Sequence, residues 1–179
     1  VNPSVIPSGT HSRVIGKGWA NNGAYLLWFN NEWPAGISQM QWDLKNTGGT
    51  SFGAYGGSGS IDYEKWQHIV CTFDSSLVKL YKNGVSVGSG SASGEIGTGD
   101  AIDIGGGVFY KGIMDEVRIY NRALSSDEVS SLYAGGAPAS FKTSCIYISL
   151  SRDLGFPATI GKIEWKIDLS LGCSIPLYI

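Results

Sequence analysis

Residues 66–88 read WQHIVCTFDSSLVKLYKNGVSVG, and this stretch decides the fold. Trp66 to Phe73 carries the β-branched and aromatic residues of a strand and stops at the turn signal Asp74-Ser75-Ser76. Asn83-Gly84 then stands between two further strand patterns. A type I′ turn needs two positive φ angles, which Asn and Gly tolerate best, so the dipeptide predicts a β-hairpin. Three antiparallel strands within 23 residues point to an all-β chain.

Working upstream, 24–29 (AYLLWF) and 37–44 (ISQMQWDL) read as strands joined by NNEWPAG, a loop marked by Pro34 and Gly36. The second alternates. Met40, Trp42 and Leu44 share one face while Gln39, Gln41 and Asp43 share the other, the pattern of an antiparallel strand buried on one side. The Gly-rich stretch 47–60 leaves room for one weak strand at Phe52–Tyr55, and residues 1–12, with two prolines and no periodicity, read as an irregular opening segment. Downstream, Ala101–Ile104 and Gly112–Tyr120 are the remaining strands. One short helix is expected over 126–133. Ser125 and Glu128 form a capping box, Leu124 and Val129 occupy the staple positions, and Gly135 is placed to end the helix. About eight strands with close-set turns and one helix give an antiparallel two-sheet β-sandwich.

Composition excludes several classes. With 179 residues, 42% of them hydrophobic, and a net charge of −2, the chain lacks the profile of a disordered segment. Its 26 glycines show no collagen period. No apolar run reaches the ~18 residues of a membrane span. Thirteen Lys and Arg against fifteen Asp and Glu supply no basic patch for nucleic acid. Cys71, Cys145 and Cys173 have no CxxC spacing, which argues against zinc; Cys71 reads as a buried small hydrophobe and Cys145 with Cys173 is the one pair to consider. The chain opens at Val1 with no charged and apolar leader, consistent with a removed signal segment or with a place inside a larger multidomain polypeptide.

Several ordered strings carry a resemblance: W66-Q-H-I-V-C-T-F-D74, V78-K-L-Y-K-N-G84, I104-G-G, and G112-I-M-D-E-V-R-I-Y-N-R-A-L-S125 with Glu128 and Leu132-Tyr133. Over roughly residues 13–135 the chain resembles a laminin-G-like domain of the concanavalin A-like lectin/glucanase superfamily. The resemblance implies a jelly-roll sandwich with a concave and a convex face, in an extracellular or cell-surface setting. Two departures stand out. The two strands that usually precede the segment seen here as Ile15-Gly16-Lys17-Gly18, with their Asp-rich piece, are missing from residues 1–12, and residues 141–179 match nothing in the family. A sandwich over 1–139 with a tail over 140–179 is therefore expected. Within the tail, 145–150 reads as a strand, and Ile163, Trp165, Ile167 and Leu169 alternate with Glu164, Lys166, Asp168 and Ser170. These tail strands are expected to take the vacated places in the sandwich, the competing reading being a segment without an evolved role.

The same resemblance raises glycoside hydrolysis, which needs two carboxylates roughly 5–9 Å apart. The superfamily's glucanases carry a Glu-x-Asp-x-Glu type motif, and no such string occurs here. Asp100 and Asp103 lie three apart, Glu64 stands alone in a turn, and Asp115 and Glu116 would point to opposite strand faces. His11 and His68 read as structural, no Gly-x-Ser-x-Gly elbow is present, and Gly105 to Gly107 opens no helix. A structural calcium is implied by sugar-active relatives, which use an Asp on the last strand. Asp115 is the corresponding metal candidate, against pairing with Arg118 or Arg122 or a cap on local backbone.

Ligand binding by a sheet face is the stronger expectation. If Tyr25, Leu27 and Phe29 are core, Trp28 turns outward beside Gln39 and Gln41. An aromatic ring stacks on the C–H face of a pyranose while amides bond its hydroxyls. Trp33 and Tyr110 are placed to wall such a site. The expected function is a non-catalytic binding or adhesion module presenting its concave face to a glycan or a surface protein. The alternatives are an accessory or degenerate unit of a glycoside hydrolase and a purely structural spacer.

Overall fold

The computed structural model describes residues 1–18, 24–31, 37–96, 101–105 and 110–135. Ten strands and one helix lie in them: β1 (Asn2–Pro3), β2 (His11–Lys17), β3 (Ala24–Asn30), β4 (Gln39–Lys45), β5 (Ser51–Tyr55), β6 (Ile69–Phe73), β7 (Leu77–Lys82), β8 (Val85–Ser91), β9 (Ile102–Ile104), β10 (Gly112–Ile113) and α1 (Ser126–Tyr133). The expected antiparallel sandwich is what they build. A five-stranded sheet runs β5-β4-β3-β2-β9 and a three-stranded sheet runs β6-β7-β8, with β1 and β10 forming a short ribbon.

The hairpin at the centre of the sequence forms as its turn chemistry dictates. Asn83 and Gly84 adopt φ of 50° and 81°, and Lys82 faces Val85 across the turn. Asn83 also accepts a hydrogen bond from the His68 backbone through Oδ1 at 2.9 Å, tying the tip to the residue before β6. A Cβ on Gly84 would stand 3.2 Å from Tyr133 of α1, so the glycine serves both the turn and the docking of the helix. At the preceding turn Asp74 Oδ1 accepts from the backbones of Ser76 and Leu77.

The two sheets meet over one core. Leu27 and Phe29 of β3, Met40, Trp42 and Leu44 of β4, and Ala54 of β5 face Ile69, Val78 and Leu80 from the three-stranded sheet, and all are buried. Burying the Leu, Ile, Val, Phe and Met side chains among them stabilises by ~1.5–3 kcal/mol each. Where β8 crosses β5, Gly88 and Gly90 lie against the backbone of Tyr55 and Gly53, an approach that a side chain at either position would obstruct. A bulge in β2 makes Val14 and Ile15 both core residues and leaves Gly16 opposite Leu26 on the other face.

The outer face of the three-stranded sheet is covered too. Val70 and Tyr81 form a second cluster with Leu124 and Val129, so α1 packs there. Its start is the expected one: Ser125 Oγ accepts from Glu128 N, Glu128 returns a bond to Ser125 N, and Gly135 takes φ of 78° just beyond the helix.

Two segments differ from their sequence reading. Residues 1–6 are not a loose lead-in: Val1, Pro3 and Ile6 are buried, and Asn2–Pro3 pairs with Gly112–Ile113. Gly112–Tyr120 is not one strand. The ladder stops at Ile113, and Glu116 sits at φ 53°, a left-handed conformation that ends extended pairing. The expected tail strands and the pair Cys145–Cys173 lie outside the described residues.

Candidate functional site

With one outer face carrying the helix, the outward face of the five-stranded sheet is left without a described helix or strand packed on it. Its register can be read across the strands. One row runs Tyr55, Gln41, Trp28, Arg13; the next runs Gly53, Asp43, Leu26, Gly16, Asp103; and a third holds Gln39, Asn30 and His11. The alternation of β3 and β4 thus turns Trp28, Gln39 and Gln41 to this face, as their positions predict, and the core takes Phe29, Met40 and Trp42.

At the centre lies a carboxylate that alternation alone assigns to solvent. Asp43 is only 8% exposed. Trp28 donates its indole N–H to Asp43 Oδ2 at 2.5 Å, and the Tyr55 hydroxyl bonds the same carboxylate. Gly53 makes the room for this. A Cβ there would stand 2.8 Å from Asp43 Oδ1 and 2.9 Å from the Tyr55 hydroxyl. Burial raises the Asp43 carboxyl above its usual range, and the bonds from Tyr55 and Trp28 pull it partly back. Burial, its bond to Asp43 and the nearby charge push the Tyr55 phenol up to about 12.

The glutamines are held as well. Gln39 Nε2 donates to the Gly56 carbonyl at 2.5 Å, and Gln39 Oε1 accepts from Gln41 Nε2 at 2.8 Å. The chain of amides fixes Gln41 between the Trp28 and Tyr55 positions, with its Oε1 turned to no described donor. His11 meets the Trp28 ring edge-on at 5.1 Å and 75°. Tyr55 keeps 49% of its surface exposed and Trp28 is half-buried. The result is an aromatic and amide row over a buried anchor. Tyr55 and Asp43 were not singled out as ligand positions by the sequence; the signal that could have found them is the pairing of β4 with β5, which sets Tyr55 opposite Gln41.

Other candidates fall elsewhere. Tyr110 does not wall this face: its ring packs edge-on to the core residue Phe29 at 6.1 Å, because Phe29 and Trp28 point to opposite sides of β3. Trp33 lies outside the described residues. Asp115 Oδ1 accepts from the Glu116 backbone at 2.8 Å, while Arg118 pairs with Glu116 and Arg122 with Glu128. Among the described residues no three His, Cys, Asp or Glu side chains come together as metal ligands. His68 stacks on Tyr133 at 6.0 Å and is held below its usual pKa by burial, with the N-terminal amine and Arg118 adding to the effect. Cys71 is half-buried against the core, and burial pushes its thiol up.

A cavity of about 530 Å³ opens inside the sandwich, lined by Tyr25, Trp42, Leu44, Phe73, Ile119 and Leu132 among others. Its walls mix core side chains with His68, Thr72, Arg118, Asn121 and Arg122, and through Tyr25, Trp42 and Leu44 it lies on the opposite side of the five-stranded sheet from Trp28. No described helix is long and apolar enough to cross a membrane.

A laminin G family model, described as concanavalin A-like lectin/glucanases superfamily, matches residues 1–130. Among solved structures, the crystal structure of an S-layer domain-containing protein from Clostridium thermocellum is similar over 74% of this chain and 66% of that one, at 21% identity and a TM-score of 0.33. The chain therefore spans just under two thirds of that neighbour. No curated protein matches it.

Proposed function

The chain belongs to the concanavalin A-like lectin/glucanases superfamily, and on that footing we propose that it is a non-catalytic binding module that takes glycan on the outward face of its five-stranded sheet. The observation that carries this reading is the row Tyr55, Gln41, Trp28, fixed from below by Asp43 on a face that no described element covers. An indole and a phenol supply apolar faces for the C–H surface of a pyranose, and the amide oxygen of Gln41 accepts from a hydroxyl. Fold alone does not license this step; the side chains of the row do.

The spacing of acids on the same face supports a binding role over hydrolysis. Asp43 and Asp103 share a row but stand three strands apart, on the order of 14 Å at ~4.8 Å per strand, beyond the ~5–9.5 Å of glycosidase pairs. An extracellular or cell-surface place, within a larger multidomain polypeptide, goes with this reading. The test is a glycan array probed with the wild type and Trp28→Ala. Wild-type binding to defined glycans, weakened at least about tenfold by Trp28→Ala with an unchanged far-UV spectrum, is expected. Release of sugar from polysaccharide would instead identify a hydrolase unit; binding to neither glycan nor polysaccharide would leave a surface-protein partner or a spacer.

A further inference from the structure

Resting on that reading, we infer that Asp43 is a positioning residue that holds Trp28 and Tyr55 as one two-ring platform for a neutral saccharide. Three observations from the two strands that flank β4 meet at this carboxylate. Trp28 of β3 donates to it, Tyr55 of β5 bonds it, and Gly53 of β5 clears the volume between them. The rings start two strands apart, with Gln41 between them, yet their polar tips converge on one carboxylate. A buried carboxylate costs several kcal/mol unless its oxygens are bonded, so its presence under two aromatic rings stabilises only the arrangement in which both rings reach it. That constraint removes rotamer freedom from Trp28 and Tyr55 before a ligand arrives, which is what preorganisation contributes to affinity. The ligand class follows from what remains unbonded. The indole N–H and the phenol are engaged at Asp43, so the span from Tyr55 to Trp28 offers ring faces and the Gln41 oxygen, which suit C–H groups and hydroxyls, while the cation of the row, Arg13, stands on the far side of Trp28 from Tyr55.

The experiment titrates wild type, Asp43→Leu and Asp43→Asn with neutral probes, cellohexaose, xylohexaose and laminarihexaose, and follows hydrogen exchange of the Trp28 indole N–H, assigned by its absence in Trp28→Phe. Wild type is expected to bind at least one probe and to protect the indole N–H. Asp43→Leu, of similar size but without an acceptor, should lose at least about tenfold in affinity and in indole protection while its far-UV spectrum is kept. Asp43→Asn, which still accepts through its amide oxygen and donates to the phenol, should recover most of both. Unchanged affinity in Asp43→Leu, or unprotected Trp28 in the wild type, overturns the positioning role alone. Failure of the wild type to bind any neutral probe overturns the glycan reading and this inference with it. If Asp43→Leu does not fold, Trp28→Phe and Tyr55→Phe decide: each keeps a ring and removes one bond to Asp43, each should weaken binding at least about threefold, and wild-type affinity in both overturns the proposal.

Discussion

Trp42 and Asp43 are consecutive in sequence, each keeps 8% of its surface exposed, and they are buried on opposite faces of β4. Trp42 is covered by the other layer of the sandwich and by Tyr25, whose ring lies 5.5 Å away, and its indole N–H has no hydrogen-bond partner among the described residues. Asp43 is covered by side chains of its own sheet and is bonded by two of them. The difference shows that equal burial has two physical origins. Removing ~200 Å² of indole from water at ~25 cal/mol per Å² contributes ~5 kcal/mol, enough to carry an unmatched N–H costing ~1–3 kcal/mol. A carboxylate has no such apolar gain, so it is buried only where donors meet it.

The comparison breaks most visibly at its core side. Phe29→Ala, two residues along the core face of β3 from Leu27, should destabilise the fold by about 3–5 kcal/mol, read as a fall in the urea midpoint. Phe29 is fully buried and also supports Tyr110, so little collapse can fill the space. A cost below about 1.5 kcal/mol would mean that the inter-layer contacts are not what holds the two sheets together.

The outer face should respond to a gentler change. Trp28→Phe keeps an aromatic ring but removes the donor to Asp43 Oδ2, leaving a buried carboxylate oxygen without it, and should cost about 1–3 kcal/mol. Chemical denaturation again measures it. No loss in Trp28→Phe would show that water reaches Asp43 and that the outer-face anchor is not a structural unit.

What the sequence allowed to be read divides along the same line. The Asn83-Gly84 turn, the Ser125–Glu128 capping box and the alternation of Met40, Trp42 and Leu44 are local patterns, and the structure follows each of them. Trp28, Gln39 and Gln41 were legible as outward residues for the same reason. Burial of Asp43 was not, because it depends on residues 15 positions before it and 12 after it, brought in by strand pairing. The break at Glu116 and the bulge beside Val14 are single-residue departures from extended geometry that the apolar pattern of their segments does not encode. Tyr110 carries no local signal of its side, and packing against Phe29 draws it to the core.

Protonation sharpens the contrast further, since only the outer face buries a titratable carboxyl in this pair. Burial dominates at Asp43, and its pKa stands above the ordinary value of 3.8. An acid whose folded pKa is raised binds its proton more tightly in the folded state. Its contribution to stability is therefore complete below the unfolded pKa and is lost as pH rises through the folded one. Measured against Asp43→Asn, which removes this titration, wild-type stability should fall as pH rises from the ordinary carboxyl value of 3.8 through the higher folded one. A difference that is flat, or that grows with pH, would mean that the donors at Asp43 outweigh its desolvation.

The smallest effect is expected where the same chemical change is made on the core side. Trp42→Phe removes an N–H that has no partner among the described residues, so the cost of its burial, ~1–3 kcal/mol, is relieved. Against that stands the smaller ring: about 40 Å³ of new cavity at ~24 cal/mol per Å³ costs about 1 kcal/mol, with some further loss of buried apolar area. The two contributions oppose each other and should leave stability within about 1 kcal/mol of wild type. Trp28→Phe makes an identical substitution yet has no such relief, because the N–H it deletes is bonded. Equal urea midpoints for the two variants would show that the bond at Asp43 carries no more weight than the unmatched donor at Trp42, and the distinction between the two faces of β4 would fail with it.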